Sequence, residues 1–254
     1  MAMKPLVVLP TYNEKESLPV VIIKILDQEI FDVLIVDDSS TDGTTEIAQN
    51  WVERDSRIHL LQRPGKLGLG TAYIAGFKWG LQRDYNCFIE MDSDLSHDPL
   101  VLPKFLEQLE AGSDLVIGAR YEGGTISVVG WDFKRLMLSR LGNLYASTLL
   151  RTHLCDMTSG FRAFSRRALE AMDLDAIHSE GYAFQIEMAY RVLAQGMKVS
   201  ELAIVFTERA FGASKMSHKI IREAVALPWR LKFNEAKNLV LWSLGLKKRP
   251  MGNR

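Results

Sequence analysis

An α/β fold, with a mainly parallel central sheet flanked by helices, is predicted by two features of the sequence. From Leu6 to Ile117, short apolar, β-branched runs alternate with stretches of helical periodicity at strand-helix-strand spacing. The carboxylates and turn formers gather where the apolar runs stop, as in Asp37-Asp38-Ser39-Ser40 and Asp92-Ser93-Asp94. In sheets of this kind ligands bind beyond the carboxyl ends of the strands.

Taken in order, Leu6 to Leu9 reads as the first strand and Ser17 to Leu26 as the first helix. Val33 to Val36 and Thr44 to Arg54 repeat the pair, as do Ile58 to Leu61 and Thr71 to Leu81. Tyr85 to Met91, Leu100 to Leu109 and Leu115 to Ile117 continue it. Beyond Gly123-Gly124 the alternation loosens into a helix from Lys134 to Leu150, a turn-rich segment from Asp156 to Gly160, a helix over Phe184 to Ala194 and a strand over Lys198 to Phe206. The last forty residues read as two amphipathic helices broken at Pro228. Ile220, Ile221, Ala224, Val225, Trp229, Leu231 and Phe233 form their apolar side, and Lys219, Arg222, Arg230 and Lys232 their basic side. Residues 1–217 are expected to be the catalytic domain, and residues 218–254 a basic tail that meets a membrane surface, packs on the sheet or forms a dimer contact.

With 254 residues, 47% hydrophobic and 24% charged, the chain has ample material for a core and no mark of disorder. Its 31 basic and 31 acidic residues cancel, but ten of the basic and two of the acidic lie from Lys215 to Arg254, leaving 21 and 29 before it. That asymmetry argues against a nucleic-acid partner for the whole protein and points to a basic terminal segment facing something anionic. Cys87 and Cys155 stand outside any metal-ligand spacing and read as reduced packing residues, consistent with the cytoplasm. No signal architecture and no run approaching ~18 apolar residues is present, so neither export nor a membrane span is expected.

Asp92 and Asp94 carry the chemistry. Residues two apart in extended chain point the same way, and like charges held that close are costly unless a cation sits between them. Hard divalent ions such as Mg2+ or Mn2+ take carboxylate oxygens, so the pair reads as a metal clamp. The competing local reading is a turn in which Asp94 or Ser96 caps the helix starting near Pro99. Asp37 and Asp38 bring two more carboxylates to the same edge, while Lys66, Arg120, Arg162, Arg209 and Lys215 supply the opposite sign. Both signs together suit a metal-bound phosphorylated ligand.

Asp38 is placed to accept hydrogen bonds from a nucleobase or ribose, or to cap its own turn. Tyr12 either stacks on a base or packs half-buried. Gly68 and Gly70 open a helix and either admit phosphates to its N–H groups or make a tight turn. They are not the dinucleotide fingerprint, since Tyr73 stands where its third small residue belongs. His97 lies beside the aspartates but equally suits a helix start; the other histidines are scattered.

The segments Val8-Leu9-Pro10-Thr11-Tyr12-Asn13-Glu14, Ile35 to Gly43, Gly68-Leu69-Gly70, Glu90 to Asp94, Ile117 to Tyr121, Ser159 to Arg162, and Phe206 to Arg209 through Ser214 to Ser217 resemble the family-2 glycosyltransferases. Within them the chain is similar to polyprenyl-phosphate (dolichyl-phosphate) mannose synthases of the bacterial type without transmembrane segments. The resemblance runs from about Pro5 to Ser217, and its last motif, with Arg209, Ser214, Lys215 and Met216, is the most specific.

The resemblance implies a GT-A type nucleotide-sugar-binding fold and inverting transfer of mannose from GDP-mannose to a polyprenyl monophosphate, giving polyprenyl-phosphate mannose and GDP. It implies that Pro10, Tyr12, Glu14, Val36 and Asp38 hold the guanosine, and that Asp92 and Asp94 hold Mg2+ or Mn2+ against the diphosphate with the Ser93 backbone against the nucleotide. Arg120 and one of Lys134 or Arg135 would bind the acceptor phosphate, while Arg209 and Lys215 would close over the donor phosphates. Position 93 is often alanine in the family and is serine here. The expected location is the cytoplasmic face of the cell membrane, held peripherally through residues 218–254, by a membrane-protein tether or as a homo-oligomer. The alternatives are a UDP-glucose-dependent polyprenyl-phosphate glucosyltransferase and a non-catalytic module that binds nucleotide sugar or membrane.

Overall fold

The computed structural model describes residues 3–122, 125–208 and 218–243. The first half comprises β1 (Pro5–Thr11), α1 (Leu18–Leu26), β2 (Asp32–Asp37), α2 (Thr44–Arg54), β3 (Ile58–Gln62), α3 (Leu69–Leu81), β4 (Cys87–Glu90), α4 (Leu102–Glu110) and β5 (Leu115–Ala119). Short strands β6 (Tyr121–Glu122), β7 (Thr125–Ile126) and β8 (Val128–Val129) lead into α5 (Phe133–Leu150). Then follow β9 (Arg162–Ser165), α6 (Arg166–Glu170), α7 (Gly181–Ala194), β10 (Val199–Ala203), β11 (Phe206–Thr207) and α8 (His218–Ser243).

Seven strands form the central sheet in the order β10-β5-β9-β4-β1-β2-β3. Neighbours pair in parallel except β9, which runs antiparallel between β4 and β5. The expected mainly parallel sheet is what forms. Alternate residues of each strand serve opposite faces: Leu6, Val8, Leu34 and Val36 pack with α3, α7 and α8, while Val7, Leu9, Val33 and Ile35 pack with α1 and α4. Burial on both faces is why the strands read as unbroken apolar runs. Against β1, α3 lies so close that a Cβ on Gly76 would stand 2.5 Å from Val8.

Strand β9 was not among the expected elements, because Arg162 interrupts its apolar character. The side chain is nonetheless fully buried, its guanidinium donating to the carbonyls of Ser159, Gln185 and Met157 at 2.6–2.8 Å. Those bonds also correct the expectation that Arg162 binds a phosphate. The strand expected over Lys198 to Phe206 divides in two: β10 ends at Ala203, and β11 leaves the main sheet to pair with β8.

The expected break at Pro228 does not occur; α8 continues through it. Proline has no N–H for the carbonyl one turn back. Next to that gap, Tyr145 of α5 donates its hydroxyl to the Val225 carbonyl at 2.8 Å. Leu227 and Leu231 are buried in the core and hold the helix on both sides of the proline. No helix among the described residues is long and apolar enough to cross a membrane.

Candidate active site

The loops that follow β1, β2 and β4 meet at one edge of the sheet around a cleft of about 1240 Å³. Three of their residues, Asn13, Ser39 and Leu95, hold φ between 55 and 66°, in the left-handed region where a side chain is unfavourable. The loops are cross-tied. Asn13 Oδ1 accepts the Thr41 N–H at 2.9 Å, the Asn13 N–H donates to Ser40 Oγ at 2.9 Å, and the Ser93 hydroxyl donates to the Pro10 carbonyl at 3.0 Å. Serine at 93 therefore stitches the acidic loop to the first one.

Asp37 and Asp38 have different tasks that sequence alone did not separate. Asp37 is fully buried, and its carboxylate accepts from the hydroxyls of Thr11, Ser40 and Thr45. It builds the loop and does not line the cleft, against the expectation that all four carboxylates converge there. Asp38 does line the cleft, yet Arg63 grips it through Nε and Nη2 at 2.6 and 2.8 Å, and the Leu67 N–H adds a third bond. Arg63, which no sequence motif marks, also reaches Thr71 and the Gly68 carbonyl, locking the glycine loop to the end of β2. Pro10, Tyr12 and Glu14 share the wall, with the Lys66 ammonium 4.3 Å above the Tyr12 ring. Val36 is sealed in the core and does not reach the cleft.

Asp92, Ser93 and Asp94 line the cleft directly after β4. Neither Asp94 nor Ser96 caps the following helical turn; Asp98 does, accepting the Leu100 N–H at 3.1 Å. Asp92 accepts the Tyr73 hydroxyl at 3.1 Å, and the Asp92 N–H donates to Nδ1 of His97 at 3.1 Å. His97 is buried, stacked 4.7 Å from Phe161. Burial holds its pKa down to about 4, so it stays a neutral acceptor that fixes the backbone of the acidic pair. Beneath them Glu90 is fully buried and its pKa rises to about 7, chiefly through loss of water. The donor set fits Mg2+ or Mn2+: Asp92 and Asp94 bring hard carboxylate oxygens to the cleft wall, and such ions keep waters and substrate phosphates as their remaining ligands.

Arg120, Trp131 and Arg135 also line the cleft. The Arg120 guanidinium is held by Asp156 and by Thr158 Oγ1, and its carbon lies 5.3–5.7 Å from the Tyr121, Trp131 and Phe206 ring centres. Arg135 lies 4.2 Å over Trp131 and pairs with Glu208 at 2.9 Å. Of the two candidates left open by the sequence, Arg135 lines the cleft and Lys134 is exposed outside it.

The glycine loop does open α3, but an internal carboxylate already occupies its end. Glu180 Oε2 accepts the Gly70 N–H at 3.0 Å, and a Cβ on Gly68 would meet that carboxylate at 2.5 Å. A phosphate at this helix terminus is therefore not what the loop is shaped for. Arg209 and Lys215 lie outside the described residues.

Several known proteins are similar to this chain. A model of "Glycosyl transferase family 2" matches residues 6–173. A polyprenol monophosphomannose synthase of Mycolicibacterium smegmatis is 45% identical over 225 residues, covering 87% of this chain and 84% of that protein. An undecaprenyl-phosphate mannosyltransferase of Micrococcus luteus is 46% identical over 224 residues, covering 88% and 91%. Among solved structures, glucosyl-3-phosphoglycerate synthase from Mycobacterium tuberculosis, in complex with Mn2+, uridine diphosphate and phosphoglyceric acid, superposes with a TM-score of 0.65 at 20% identity, covering 89% of this chain and 79% of that one. The fold is the GT-A type shared with such enzymes.

Proposed function

The chain belongs to glycosyl transferase family 2, and on that premise we propose that it transfers mannose from GDP-mannose to a polyprenyl monophosphate with inversion at the anomeric carbon. The observation that carries this reading is that one cleft gathers carboxylates and nucleotide-side residues together with two arginines set against aromatic rings. A module that only bound a nucleotide sugar would have no use for the second set.

Pro10, Tyr12, Glu14 and Asp38 form the nucleotide wall, where Tyr12 offers a ring face and Asp38 a carboxylate whose position Arg63 fixes. Asp92 and Asp94 would hold Mg2+ or Mn2+, which when bound neutralises the donor diphosphate. Arg209 and Lys215 are assigned to the donor phosphates by the family resemblance. The acceptor phosphate, with a second pKa near ~6, is largely ionised at neutral pH and needs no general base. Its oxygen forms the new bond to the anomeric carbon while the bond from that carbon to the diphosphate breaks, and the electron pair leaves with GDP. Arg120 and Arg135 screen the approach of one anion to another, so catalysis rests on alignment and charge.

Attachment to a membrane has its own support. Phe133, Leu141 and Leu144 on α5 are 56–74% exposed, and Val225, Trp229 and Phe233 on α8 are 51–68% exposed. Lys134, Arg140, Arg222 and Arg230 are exposed on the same two helices. Apolar side chains rimmed by cations suit the surface of an anionic bilayer. The test of the reaction is a donor screen with purified protein, in which GDP-mannose and not UDP-glucose is consumed when polyprenyl phosphate is present.

A further inference from the structure

Beside the polar cleft lies a second, smaller cavity of about 100 Å³ between α5, α7 and α8. Its walls are mostly apolar, with Leu138, Gly142, Tyr145, Ile186, Ala224 and Val225 beside the hydroxyl-bearing Ser139, and it shares Trp131, Arg135, Thr158 and Tyr182 with the cleft. Tyr145 presents only its ring, because its hydroxyl is spent on the Val225 carbonyl. We propose that this cavity holds the first isoprene unit of the acceptor lipid, and that Gly142 is the position that keeps it open. The inference rests on the reading that the acceptor is a prenyl phosphate.

Three observations lead to it. The first is continuity with charge: Arg135 stands at the junction, so an anionic head on its guanidinium has an apolar pocket next to it and not bulk water. The second is size. A cavity of roughly 150 Å³ takes up benzene, so one of about 100 Å³ suits a single branched five-carbon unit and not a length of chain. The remaining chain has a way out past Leu138 and Val225, which are 47% and 52% exposed.

The third observation is Gly142 itself. It stands in the middle of the 18-residue α5, where glycine is among the poorest helix formers. Its backbone is not left-handed, and a Cβ added there would meet nothing within 4 Å. Neither backbone geometry nor crowding asks for glycine at this place. What the missing side chain does is leave volume in the cavity wall.

Calorimetric titration of the full chain with geranyl phosphate, decyl phosphate and inorganic phosphate tests this, using the wild type, Gly142→Ala and Gly142→Leu, with GDP and Mn2+ titrated in parallel. The wild type is expected to bind geranyl phosphate more tightly than decyl phosphate, which has as many carbons and no branch. Gly142→Leu is expected to weaken geranyl phosphate by about tenfold or more, the loss that follows when a couple of methylene groups are kept in water. Affinities for inorganic phosphate and GDP should stay unchanged, and Gly142→Ala should give a smaller loss in the same direction. Unchanged geranyl phosphate affinity in Gly142→Leu overturns the proposal; if that variant also loses GDP binding, unchanged affinity in Gly142→Ala overturns it. Absence of mannose transfer to a prenyl phosphate that still binds in a Gly142-dependent way would instead overturn the proposed reaction and leave the cavity assignment standing.

Discussion

Arg120 and Asp156 form a buried bidentate ion pair at the cleft wall, with Nε and Nη2 each 2.7 Å from a carboxylate oxygen. Removing either partner leaves an uncompensated buried charge. Asp156→Ala should therefore cost about 3–5 kcal/mol in urea unfolding. Arg120→Ala should lose stability as well as the use of lipid phosphate, whereas GDP affinity, read by calorimetry, should survive in whatever fraction remains folded. An Asp156→Ala protein as stable as the wild type would contradict the pair's structural role.

The same pair sets an acid limit. Burial pushes the Asp156 carboxyl up, but the charge and hydrogen bonds of Arg120 more than reverse this and leave it below its ordinary value of 3.8. The stability it contributes is present above that value and is lost as pH falls below it, where the unfolded chain binds the proton first. In Asp156→Asn the dependence of stability on pH in this acid range should flatten; an identical profile would show that another group dominates.

His97 is expected to act through the backbone of Asp92. Replacing it with Phe removes the acceptor of a part-buried N–H and should cost about 1–3 kcal/mol. It should also weaken Mn2+-dependent GDP binding while leaving metal-free GDP binding as it was. Equal loss in both titrations would assign the residue to general packing.

Glycine at 70 is fixed by crowding. A Cβ there would sit 2.7 Å from the Ser179 carbonyl, a backbone atom that cannot easily move. Gly70→Ala should destabilise by about 1–3 kcal/mol despite the higher helix propensity of alanine. A more stable variant would mean that α3 and the segment before α7 are not packed as described.

Attachment is tested by flotation with anionic vesicles. Trp229→Ser and Phe233→Ser together should reduce bound protein several-fold at an unchanged melting temperature, since both side chains are more than half exposed. Undiminished flotation would move the contact to α5 or to residues outside α8.

Much of this site was legible because apolar runs announce the strands and the strand ends announce the ligand edge. Thr44 to Arg54 appears as the helix α2 with the bounds its periodicity gave. What escaped was decided in three dimensions. Asp37 and Asp38 are neighbours with the same chemistry, and only the hydroxyls around one and Arg63 beside the other divide loop builder from cleft wall. Arg162 looked like a phosphate ligand because sequence does not reveal that three carbonyls await it. His97 carried no spacing signal, since its partner is a backbone N–H. Pro228 failed to end a helix whose neighbours hold it in place on both sides.

The most direct measurement is lipid-product formation by purified protein given GDP-mannose, Mn2+ and polyprenyl phosphate, alongside Asp92→Ala and Asp94→Ala proteins shown to be folded. The account expects a mannosylated lipid only when all three components are present, and at least a hundredfold less of it from either variant, as befits loss of charge stabilisation at the departing diphosphate. Wild-type levels of product from either variant, or product formed undiminished after chelation of the metal, would contradict it.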